Sequence, residues 1–197
     1  SKLSSEEIKF KKIFLNNFIK NGFPNRKQED WKFLDISQII KKNISDLIYF
    51  NDYSKSNKID PSIFVDGLEH NKIIFINGRI EKIDFNFEDQ NKIEIIDETK
   101  KDISFDYENS LIDLNSAFTD KVFKILIKKN YSLKKPLIIY HSINDEIKST
   151  NINLRLDFEL GENSCLKLID YFSNNTAKNF INIFYNFNLE KDSIFKN

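Results

Sequence analysis

The feature that most constrains this chain is a regular succession of strand-like runs toward its C-terminal end. Runs rich in Ile, Leu, Val and Phe start near Val122, Leu137, Ile152, Leu166 and Phe180, so successive starts fall fifteen, fifteen, fourteen and fourteen residues apart. Within them Ile152, Leu154, Leu156, Phe158 and Leu160 share one face, against Asn153, Arg155, Asp157 and Glu159 on the other. A period of two is the mark of a half-buried strand. Ile181, Ile183, Tyr185, Phe187 and Leu189 repeat it, and such strands are expected to bury one face only. The spacing suits an antiparallel sandwich, with turns every ~8–12 residues, or a β-solenoid with two strands in each coil of about 29 residues. The intervals are long for hairpins and hold few tight-turn dipeptides, which favours the solenoid.

Upstream the pattern is helical. Ser4 and Glu7 have the spacing of a capping box, and Phe10, Phe14 and Phe18 then recur every four residues with Ile13, Leu15 and Ile19 beside them. Asn21-Gly22 is expected to stop this helix, because glycine accepts the left-handed conformation at that point. A turn at Phe23-Pro24-Asn25-Arg26 leads to Trp31, and a second, weaker helix is predicted over about Ile36 to Lys42. The polar stretch from about Asn43 to Pro61 reads as an irregular connection. Lys72 to Ile76 followed by Asn77-Gly78 predicts a hairpin with the segment from Arg79 to Phe85, and Ile93 to Ile96 is a further strand. An acidic connector between Ile96 and Leu111 divides the chain into a mixed α+β region, 1–110, and a β region, 111–197.

Composition narrows the function. The 30 basic and 30 acidic residues cancel, so there is no positive field to hold a nucleic acid or an anionic membrane. The 197 residues suffice to bury a real core. No apolar run is long enough to span a bilayer and the first residues do not form a secretory leader, which leads to the expectation of a cytoplasmic protein. Cys165 is the only cysteine, which excludes an internal disulfide and any multi-cysteine metal site within the chain.

Candidate chemistry is sparse. Trp31 beside Glu29 and Asp30 reads as an anchor for the loop after the first helix rather than a binding platform. Cys165 alternates with Leu166 and Leu168 and is expected on the face away from them, as an ordinary thiol. His70 and His141 have no partner nearby in sequence and read as surface polar residues. Lys128-Lys129 and Lys134-Lys135 flank Asn130-Tyr131 and read as a solvated turn. Four glycines, at 22, 67, 78 and 161, form no phosphate-binding loop. The expectation is therefore a chain with no catalytic, cofactor-binding or metal-ligating residue, and not an enzyme.

Three stretches carry a family resemblance. Gly22-Phe23-Pro24-Asn25-Arg26-Lys27-Gln28-Glu29-Asp30-Trp31-Lys32-Phe33 resembles the N-terminal signature of the SufD proteins, members of the SufB/SufD family of iron–sulfur cluster assembly proteins. Phe75-Ile76-Asn77-Gly78-Arg79 resembles the family's Asn-Gly strand end, and Leu114-Asn115-Ser116-Ala117-Phe118 its Leu-Asn-x-Ala-Phe element. Leu160-Gly161-Glu162-Asn163-Ser164 is similar to a turn between solenoid strands. The paralogous SufB lacks Glu-Asp-Trp-Lys, so the resemblance points to SufD.

The resemblance implies a mainly β protein with an N-terminal α-helical region and a right-handed parallel β-helix core, a single-stranded solenoid, cut short at the C-terminus before the family's ATPase-docking domain. It implies a non-catalytic scaffold subunit that pairs with a SufB-like paralogue, binds a SufC-like ABC ATPase and forms a homodimer when alone. The iron–sulfur cluster would be assembled in the complex, with no cofactor held by this chain. The rival expectations are a β-helix protein acting on carbohydrate and a β-sandwich interaction module.

Overall fold

A computed structural model describes residues 3–49, 64–98, 109–144, 147–173 and 178–197. The expected capping box is present: the Ser4 side chain accepts from the Glu7 N–H at 3.1 Å and the Glu7 carboxylate accepts from the Ser4 N–H at 2.6 Å. Helix α1 (Ser5–Asn21) ends where Gly22 takes φ 68° and its N–H reaches Phe18 O at 2.7 Å. A single 3-10 turn, Glu29–Trp31, and α2 (Ile36–Asn43), capped by the Asp35 side chain, follow. Trp31 is only half-buried. Phe23 fastens this loop, its ring meeting Phe18 and Phe180 at 5.0 and 5.6 Å, together with buried Pro24. Most of the irregular stretch expected over 43–61, and most of the connector before Leu111, lie outside the described residues.

Among the described residues nine strands form two mixed, mostly parallel sheets, and neither closes on itself. β1 (Asn71–Ile76) and β2 (Arg79–Asp84) make the expected hairpin, with Asn77 and Gly78 at φ 53° and 79°. Both central residues at positive φ is the two-residue turn whose twist matches the strands. β3 (Ile93–Glu98) runs antiparallel to β4 (Val122–Ile127). After them come β5 (Leu137–Ser142), β6 (Asn151–Leu160), β7 (Cys165–Phe172), β8 (Phe180–Leu189) and β9 (Ile194–Lys196). The sheet orders are β2-β1-β5-β7-β9 and β3-β4-β6-β8.

From β4 onward consecutive strands therefore lie in alternate sheets. Each of β6 to β9 is parallel to the strand two before it, with Ile152 beside Ile181 and Cys165 beside Ile194. The antiparallel sandwich is thereby overturned, because its hairpins would place sequence neighbours side by side. The turns stack as well. Asn130, Asn163 and Asp192 each adopt positive φ, and Asn130 N–H donates to Glu162 O while Asn163 N–H donates to Lys191 O. Gly161 sits in this stack because a Cβ there would lie 2.6 Å from Lys129 N. The division expected near residue 110 does not separate the sheets, since β1 pairs with β5 and β3 with β4 across it.

The main core lies between the sheets, where Ile73 and Phe75 of β1, Ile125 and Ile127 of β4, Leu137 and Ile139 of β5, and the alternating leucines of β6 and β7 meet. Contrary to expectation, some strands bury both faces. The outer face of β5 carries Ile138 and Tyr140 beneath Phe64 and Val65. The polar face of β6 is covered by α3 (Ser110–Phe118): Asn151 and Arg155 are 3 % exposed each. Arg155 is accommodated by a forked pair of hydrogen bonds to Asp157 at 2.8 and 2.9 Å and by the Phe184 ring below it. α1 packs on the outside of α3, and Lys11 Nζ donates to Ala117 O and Thr119 O at the end of that helix.

Candidate functional site

Two features of the last strands are candidates for function: an unpaired edge, and a buried polar cluster just inside it. β8 has β6 on one side and no described strand on the other. Its ten residues, Phe180 to Leu189, include no charged side chain. Ile181, Ile183, Tyr185 and Phe187 continue the inward-facing stacks of β6, pairing in register with Ile152, Leu154, Leu156 and Phe158, yet each remains half-buried. β9 pairs only with Cys165 to Lys167, which leaves the rest of β7 open on that side as well. Such an edge presents a row of backbone donors and acceptors beside an apolar strip, the arrangement by which a further strand is added.

The cluster is His141, Asp170 and Tyr185. His141 occupies the inward phase of β5 after Leu137 and Ile139, and Asp170 that of β7 after Leu166 and Leu168. His141 Nε2 lies 3.1 Å from Asp170 Oδ1 and 3.2 Å from the Tyr185 hydroxyl, which itself donates to Asp170 Oδ1. The imidazole stands between two aromatic rings in register, Phe75 and Phe172, with centroids at 5.7 and 4.7 Å. Burial first, then the Asp170 charge and the hydrogen bond to it, push the Tyr185 phenol far above its ordinary range. It stays protonated and acts as a donor, so the three groups tie the facing sheets together through one shared carboxylate. The adjoining cavity, lined by Phe75, Gly78, His141, Ser142 and Ile183 among others, holds only about 10 Å³. That is room for one water and not for a substrate.

The other sequence candidates are placed as follows. His70 and His141 are not surface residues: they are 4 % and 6 % exposed. His70 Nδ1 lies 2.5 Å from Leu68 O and its Nε2 2.7 Å from the Tyr140 hydroxyl, which also accepts the Val65 N–H. The Leu68 carbonyl can only accept, so Nδ1 is the donor on that side. Cys165 is half-buried on the face away from Leu166 and Leu168. Among the described residues no three His, Cys, Asp or Glu side chains gather as metal ligands, and no helix is long and apolar enough to cross a membrane.

Lys128, Lys134 and Lys135 pair with Glu94, Asp89 and Glu69 at 3.1, 2.5 and 2.5 Å, while Lys129 is exposed. Of the family-like positions, Glu29, Asp30 and Lys32 are exposed, with Glu29 and Lys32 paired at 2.8 Å beside half-buried Trp31. Gly22 and Pro24 shape the loop, and Asn77 and Gly78 the hairpin. Leu114, Asn115 and Ala117 are buried in α3, and the Phe118 ring meets Tyr49 at 5.1 Å. Asn115 Nδ2 donates to Leu154 O and Asn182 O at 2.9 and 2.8 Å, which pins the helix across β6 and β8. These positions build the scaffold and do not converge on one site. Neither a family model nor a curated protein matches the chain.

Proposed function

We propose that β4 to β9 are successive coils of a right-handed parallel β-helix, and that the chain is a non-catalytic scaffold subunit of an iron–sulfur cluster assembly complex. In this reading it pairs with a SufB-like paralogue, binds a SufC-like ATPase and works in the cytoplasm, with the cluster as cargo of the whole complex. The observation that carries the proposal is the strand order: alternate strands in two sheets, each parallel to the strand two before it, ending on the uncharged edge of β8. An array of this kind grows by adding strands to its end, whether from the same chain or from another of the same build. The resemblance of 22–33, 75–79 and 114–118 to SufD supplies the choice of system.

The test is co-expression of the full-length protein with both partners, followed by affinity capture and light scattering. A stable assembly containing all three chains is expected. A protein that remains alone in the presence of both partners would remove the proposal.

A further inference from the structure

The outer face of β6 contains several buried polar atoms that find no partner in the protein. Among the described residues these include both the Oδ1 and Nδ2 atoms of Asn151 and Oδ1 of Asn153. Asn151 is the sharpest case, because its side chain is closed off from solvent while both of its hydrogen-bonding functions go unused. Its backbone is not in competition for them. The Asn151 N–H donates to Ile48 O at 2.9 Å, and the strand pairs with β8 at Phe180.

Two contacts close a seam at the start of β6. Ile48 bridges to Thr150, and the ring of Tyr49 meets that of Phe118, so the strip before residue 50 and the end of α3 come together near the start of β6. Asn151 and Asn153 project from the same face of β6, about 6.6 Å apart along the strand. Neighbouring Asn115 and Asn182 show what fully paired amides look like here: Asn115 reaches two strand carbonyls and Asn182 reaches Leu111 O. The seam is therefore polar by construction and satisfied on one side only. Over nine in ten buried polar groups in native proteins have a partner, either protein or ordered water.

We propose that the α3–β6 seam is a hydration site, in which ordered water bound to the Asn151 amide and shared with Asn153 Oδ1 is a permanent part of the fold. A buried water takes two to four polar partners, and one amide with donor and acceptor side by side, plus a carbonyl oxygen two residues on, supplies that number. Water in this place lets α3 lie flat on a polar strand face while Asn115 alone makes the direct contacts.

The experiment contrasts Asn151→Leu, of nearly the same size, with the wild-type chain. An amide that simply lacks partners is relieved by leucine, and the variant then unfolds no more readily than wild type. An amide that binds water loses those bonds, and the unfolding constant rises about tenfold. Long-lived water seen by water-to-amide NOEs at residues 150–153 in the wild-type protein tests the same point without a variant, should Asn151→Leu not fold. Leucine tolerated without loss, or no long-lived water at these amides, overturns the proposal.

Discussion

At β2 and β3 the sheets end in six-residue antiparallel strands bearing Arg79, Glu81, Lys82 and Asp84, and Glu94 and Asp97, whereas on the far side one sheet ends on β8, ten residues without a charge, and the other on the three residues of β9, which carry Lys196. The hairpin edge also carries an irregularity between Ile74 and Phe75. Its neighbourhood is clamped: Glu88 accepts from Tyr131, Asn71 and the Lys134 and Lys135 N–H groups at 2.7 to 3.2 Å. Charges and irregular pairing on an edge discourage further strands, since adding one would bury the charges. The β8 edge has neither device, and its inward residues are left half-covered. One end of the described array is guarded against a further strand, and the β8 edge is not.

The largest test of that contrast compares equivalent core truncations. Ile125→Ala, fully buried between β3 and β6, is expected to cost about 2–5 kcal/mol in urea unfolding. Ile183→Ala on half-buried β8 should cost less than half as much, and equal losses would break the comparison. Gly161→Ala, by forcing a Cβ against the Lys129 backbone, should cost about 1–3 kcal/mol. An unchanged melting temperature would mean that the turns on the two sides are not locked together.

Asp170→Ala leaves His141 and Tyr185 without their shared acceptor, and a loss of about 1–3 kcal/mol is expected, with Tyr185→Phe milder. A neutral Asp170→Ala would show that water already reaches the open end. The end at β2 and β3 should be the acid-sensitive one. Burial alone would raise the Glu88 pKa, but the hydrogen bonds from Tyr131, Asn71, Lys134 and Lys135 outweigh it and hold the group below the usual carboxylate range. A depressed carboxylate stabilises the fold above its unfolded value, about 4.3, and that stability is lost as pH falls through the folded value. Melting temperature against pH from about 6 to 3 should therefore be flatter for Glu88→Gln. The smallest effect on stability, within about 0.5 kcal/mol, is expected for Asn186→Lys on exposed β8. The same change should weaken capture of partners, and undiminished capture would place the interface elsewhere.

The cluster at the open end was visible in the sequence in one respect. His141, Asp170 and Tyr185 each fall on the apolar phase of an alternating strand, after Leu137 and Ile139, after Leu166 and Leu168, and after Ile181 and Ile183. A polar residue in that phase must turn inward, and inward polar groups need one another. Reading His141 as a surface residue overlooked the phase. Nothing in the sequence, however, says that residues 141, 170 and 185 share one level of the array, because that depends on how far each turn advances.

Local physics alone determined the capping box at Ser4, the halt at Gly22, the two-residue turn at Asn77-Gly78 and the strand alternation, since each depends on residues within a few positions of one another. The tertiary structure decided what lies beside what. Parallel pairing joins residues 29 to 33 apart from β4 onward and 66 apart between β1 and β5, and only assembled sheets fix which strands neighbour, which polar face α3 roofs over and which edge stays open. Backbone hydrogen bonds between strands carry no side-chain identity, so partner choice emerges from packing of the whole array.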